Sequence, residues 1–101
     1  MAKVIWLEPA SDDLEEIADY ISLDNPDAAS RFTVRLLKHV RQLADHPKSG
    51  SIPPELPDSQ YRQIVEPPCR IFYRIEQGTV FIVHVLRSER LLRTSYLEDS
   101  E

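Results

Sequence analysis

Five arginines lead the residues able to do chemistry: Arg62, Arg70, Arg74, Arg87 and Arg90. Arginine presents a fixed fork of donors and stays charged near neutral pH, so it suits phosphate, carboxylate or a charged transition state. It offers no useful acid–base catalysis there. In "VFIVHVLRSERLLR" (80–93) an apolar run stops and basic groups follow at Arg87, Arg90 and Arg93. A competing account pairs Arg62, Arg74 and Arg93 with acids such as Glu66, Glu76 and Glu89. That account explains single arginines better than it explains the set.

Other chemistries find less support. His39, His46 and His84 are scattered without a ligand spacing, and Cys69 is the single cysteine, so neither a metal site nor a disulfide is expected. His84 sits in an apolar strand and reads as a hydrogen-bonded core residue. Two glycines cannot build a phosphate-cradling loop, and no cofactor is implied. The acids Glu8, Asp12, Asp13, Glu15, Glu16, Asp19, Asp24 and Asp27 are read as a solvated helix face.

The elements that must position the arginines follow from the pattern. "KVIWL" (3–7) is a short strand by its β-branched and aromatic content. Ala10, Leu14, Ile17, Ala18 and Ile21 recur at helical spacing after Pro9. Asn25 and Pro26 then cap and open a second helix, whose stripe is Ala29, Phe32, Leu36, Leu37, Val40 and Leu43. Thr33 lies on that face with its hydroxyl free to bond the preceding turn. The proline-rich 46–59 segment is a loop, and strands are expected at about 60–65, 70–76 and 79–87. "EPPC" reads as a wide turn and Gln77-Gly78 as a tight one. A two-residue hairpin there sets Ile75 against Val80, Phe72 against Val83 and Arg70 against Val85. Alternation then places Ile71, Tyr73, Ile75, Val80, Ile82, His84 and Leu86 under the helices. Arg70, Phe72, Arg74, Phe81, Val83, Val85 and Arg87 share the other face. The class is α+β, ordered β-α-α-β-β-β, with a helical hairpin on a mostly antiparallel sheet.

The 101 residues fit one domain, with 94–101 expected as a mobile acidic tail. The formal net charge of −5 opposes a general nucleic-acid binder. It hides an asymmetry, since residues 60–97 hold six arginines against three acids. No apolar stretch approaches the ~20 residues of a membrane span, and no signal-peptide pattern opens the chain. A cytoplasmic setting is expected.

Two long segments carry a family likeness. "VIWLEPASDDLEEIADYISLDNPDAA" resembles the opening helical hairpin of the RelE/ParE toxin superfamily of bacterial type II toxin–antitoxin modules. "YRQIVEPPCRIFYRIEQGTVFIVHVLRSERLL" is similar to its three-stranded C-terminal half, so the likeness spans residues 4 to about 93. It implies a small toxin, with roles such as plasmid stabilization, held inactive by a cognate antitoxin. One branch cuts mRNA in the ribosomal A site without a metal, and the other, ParE-like branch inhibits DNA gyrase. The resemblance aligns Arg70, Arg90 and Tyr96 with nuclease positions. The strand before Arg70 reads Tyr61, Arg62 and Gln63 where those nucleases place lysines. The acidic total and the missing lysines favour the gyrase-directed branch, with no catalytic residue, over the ribonuclease. A third reading is an inactive toxin kept as an antitoxin-binding regulator. The antitoxin is expected as an amphipathic segment across the helices or along the sheet edge, acidic where it meets Arg70, Arg74 and Arg87. Its candidate contacts are Leu14, Ile17, Ile21, Phe32, Leu36, Phe72, Phe81 and Val83.

Overall fold

The computed structural model describes residues 1–93 and Leu97. Strand β1 (Lys3–Trp6) leads into helix α1 (Glu8–Asp24), followed by α2 (Pro26–Arg41) and a 3₁₀ turn (Gln42–Ala44). Strands β2 (Arg62–Glu66), β3 (Cys69–Glu76) and β4 (Thr79–Arg87) complete the α+β fold. The sheet order is β1-β4-β3-β2, with β1 parallel to β4 and the other pairs antiparallel.

The hairpin forms where the sequence places it. Asn25 ends α1, and its side chain accepts the Ala28 N–H at 3.0 Å to cap α2. Thr33, which is half-buried, donates from its hydroxyl to the Ala29 carbonyl at 2.9 Å. Ala29, Phe32, Leu36 and Val40 are buried along α2, and Leu37 sits higher, beside α1. They cover a helix-side core that includes Leu43, Ile64, Cys69, Ile71, Tyr73, Val80, Ile82 and Val85.

Two connections differ from the sequence expectation. Strand β2 starts at Arg62 and runs to Glu66, which pairs directly with Cys69. The "EPPC" turn is therefore tight, with Pro67 and Pro68 alone between the strands and their peptide bond cis. The 46–59 loop also contributes to the sheet: Ser51 and Gln63 exchange backbone bonds of 3.0 and 2.7 Å at the β2 edge.

A β-bulge changes the register that a regular hairpin implies. Ile75 faces Val80 as expected, but the register shifts between Phe72 and Tyr73. Phe72 then opposes His84, and Arg70 opposes Leu86. One extra residue in β4 reverses the alternation beyond it. Val85 thus joins the helix-side core, whereas Leu86 packs on the outer face with Phe72, Val83, Leu92 and Leu97. Arg87 follows Val85 to the helix side, away from Arg70 and Arg74. Its guanidinium lies over the ring of Tyr20 in α1, 5.2 Å from the centroid.

Candidate functional site

Arg70 occupies the outer face of β3, and its surroundings fix what it can do. The residue is only 9 % exposed. Its Nη1 donates to Glu55 Oε1 at 3.0 Å and to Gln63 Oε1 at 3.1 Å. Its Nη2 donates to Glu55 Oε2 at 2.7 Å and to the Arg90 carbonyl at 2.6 Å. The guanidinium also stacks over Phe72, 4.9 Å from the ring centroid. Glu55 in turn accepts the Leu92 backbone N–H at 3.0 Å. The Arg70 fork, joined by that backbone bond, holds the Glu55 carboxyl down at about 2 against the opposing effect of burial. This is a bidentate pair linking three separate segments: β3, the proline-rich loop and the chain after β4. Glu55 escapes a sequence reading because loop acids are usually solvated. The flanking prolines in "PPELP" are the one hint that its position is fixed.

The other arginines diverge rather than converge. Arg62 donates from Nη1 to the carbonyls of Lys48 and Gly50, at 3.2 and 2.7 Å, and so staples the loop to the β2 edge. Arg74 lies over Phe81 at 5.1 Å and pairs with Glu76. Arg87 pairs with Glu89 at 3.1 Å while stacking on Tyr20. Arg90 is exposed, on a pocket of about 180 Å³ that Asp13, Glu16, Tyr20 and Arg87 also line. Of the pairings in the competing account, Arg74 with Glu76 is present, Arg62 turns to backbone carbonyls, and Glu89 is met by Arg87. Glu66 serves α2 instead, 3.1 Å from His39 Nδ1 and 3.5 Å from Arg35 Nε. Tyr96 lies outside the described residues.

Two further placements bear on function. His84 is buried and hydrogen-bonded, with Nδ1 2.7 Å from Asp13 Oδ2, and the Val85 N–H donates to the same oxygen at 3.0 Å. Asp13 therefore leaves the solvated acidic face to anchor α1 at the bulged strand. Of the apolar candidates for antitoxin contact, Phe32, Leu36, Phe72 and Val83 are buried in the two cores. Leu14, Ile17, Ile21 and Phe81 retain partial exposure. Among the described residues, no group of three His, Cys, Asp or Glu side chains could hold a metal ion. No described helix is long and apolar enough to cross a membrane.

Known proteins give this architecture a context. Residues 4–92 match the model of the ParE toxin family of the type II toxin–antitoxin system, parDE. Toxin RelE2 of Caulobacter vibrioides is 37 % identical over 92 residues, covering 90 % of this chain and all of that protein. Putative toxin Y4kP of Sinorhizobium fredii is 35 % identical over 75 residues, 74 % of this chain and 77 % of its own. A solved chain of the chromosomal ParDE toxin–antitoxin system from P. aeruginosa superposes with a TM-score of 0.73 at 22 % identity. That match covers 88 % of this chain and 98 % of the other, and it concerns the fold. Both sequence relatives are named as toxins, and the solved chain comes from a toxin–antitoxin system. The chain belongs to the ParE toxin family of type II toxin–antitoxin systems, within the RelE/ParE superfamily.

Proposed function

We propose that this toxin inhibits DNA gyrase in the bacterial cytoplasm and is neutralised there by a cognate antitoxin. The state of Arg70 carries this reading. A ribonuclease of this fold needs an arginine turned toward the scissile phosphate, where its fork meets the charge that builds up in the transition state. Here both terminal nitrogens of Arg70 are engaged by Glu55, Gln63 and the Arg90 carbonyl. Recruiting Arg70 for phosphate would strip the partly buried Glu55 carboxylate of its bidentate partner and break the bonds to Gln63 and the Arg90 carbonyl, which is costly. The net charge of −5 points the same way, because binding to a polyphosphate surface rests on neutralising phosphates. Inhibition of a protein target asks only for a stable surface.

The test is a supercoiling reaction with purified gyrase, relaxed plasmid, ATP and increasing toxin. Supercoiling should fall as toxin approaches equivalence with gyrase, and added antitoxin should restore it. Undiminished supercoiling at large toxin excess overturns the reading.

A further inference from the structure

We propose that the outer face of the helical hairpin is a self-association surface, which takes a second copy of this chain about a twofold axis parallel to the helices. The inference is independent of the toxin's target and rests on how charge is distributed over α1 and α2. On α1 the exposed residues farthest around from buried Ala10 include Glu8, Asp12, Glu15, Glu16 and Asp19. No Lys or Arg occurs between residues 8 and 27. On α2 the exposed outward row is Arg31, Arg35 and Lys38, with Arg41 at its end. An acidic row and a basic row thus lie side by side on one layer.

The rows do not neutralise each other within the molecule. Among the described residues, no ion pair joins α1 to α2, and Arg35 reaches instead to Glu66. Between the helices runs an open groove of about 360 Å³, lined by Trp6, Leu14, Ala18, Thr33 and Leu37 among others. Leu37 is 37 % exposed beside it and Val34 is 65 % exposed. The face therefore has an apolar centre between borders of opposite sign.

Symmetry selects the partner's orientation. Two copies meeting face to face share an axis lying in the interface. An axis across the helices sets acid on acid and base on base, which repels. An axis along the helices sets α1 of each copy on α2 of the other, antiparallel, with groove facing groove. Both acidic rows then meet basic rows. A nucleic-acid backbone fits this face poorly, because the acidic row borders the basic one.

Helices of this length and diameter offer a footprint of roughly 500 Å² per copy, below the ~800 Å² of a standard stable interface. The association is accordingly weak and salt-sensitive. Sedimentation velocity on the purified full chain at about 50 mM and about 500 mM salt tests it, since screening lengths differ several-fold between them. A concentration-dependent dimer is expected at low salt and a monomer at high salt.

Two charge-reversed variants sharpen the test, Arg31→Glu with Lys38→Glu, and Asp12→Lys with Asp19→Lys. Each should be monomeric alone at low salt, with native circular dichroism. Mixed in equal amounts they should associate again, because the reversed rows complement each other. A wild-type monomer at low salt up to roughly 100 µM, far above a micromolar Kd, overturns the proposal. So does a mixture that stays monomeric while the wild type dimerises. If the wild type is monomeric and the reversals weaken antitoxin binding instead, the antitoxin occupies this face and self-association is rejected.

Discussion

At the scale of residues, Arg70 and Glu55 are a structural strut. Breaking a partly buried ion pair by removing one partner leaves the other charge poorly compensated, at a cost of about 1–3 kcal/mol. Arg70→Ala and Glu55→Ala should each lower stability by that order in denaturant titrations. The double variant should lose clearly less than the sum, because both singles delete one shared interaction. The pair also has a signature in pH. The carboxyl of Glu55 ionises near its ordinary 4.5 in the unfolded chain and near 2 in the folded one. A depressed folded value means the stabilisation is present above pH 4.5 and is lost as pH falls through about 2. Solvent screening at this partly buried site holds the loss to about 1–2 kcal/mol. Thermal melts across that window should show a steeper decline for the wild type than for Glu55→Gln. Arg70→Lys separates structure from activity. Lysine brings a point charge where the fork made several bonds, so the melting temperature should drop by several degrees. Activity per folded molecule should stay within about twofold, as Arg70 touches no target in this account. An unchanged melt with lost activity would restore Arg70 to a phosphate-binding role.

At the scale of elements, the turns and caps carry the next expectations. Gly50 is packed so closely that a Cβ there would lie 2.5 Å from the Tyr73 hydroxyl and 2.6 Å from the Gln63 carbonyl. That hydroxyl accepts the Gly50 N–H at 2.9 Å and donates to the Pro47 carbonyl at 2.8 Å. Gly50→Ala must therefore break the loop's attachment, with a loss on the order of 2 kcal/mol read by chemical denaturation. Asn25→Ala removes the α2 cap and should cost about 1 kcal/mol. The helical hairpin and the β3–β4 turn were legible because local signals set them: apolar spacing, Asn25-Pro26, and Gln77-Gly78 with φ of 48° and 77°. The bulge was not legible. Every residue of "FIVHVL" suits a strand, and what holds the irregularity is Asp13, bonded to His84 and Val85 across more than 70 positions. The site suffered most from that gap, since Arg87 changes face with the bulge. Glu55 was hidden for the same reason: a partner 15 residues away through an irregular loop leaves no periodic trace.

At the scale of the whole molecule, a cluster of arginines in one half of the sequence becomes a set of separate fastenings. Arg62 secures the loop, Arg70 the loop and the chain after β4, Arg74 the β3–β4 face, and Arg87 the α1 side. A two-signed surface on an acidic total suits contact with proteins better than contact with a polyanion. The most direct test is induction of the toxin without antitoxin, following reporter-plasmid supercoiling and mRNA integrity in the same culture. Plasmid should lose negative supercoils while transcripts remain intact. Transcripts cut at ribosomal A-site codons, with supercoiling preserved, would contradict the account.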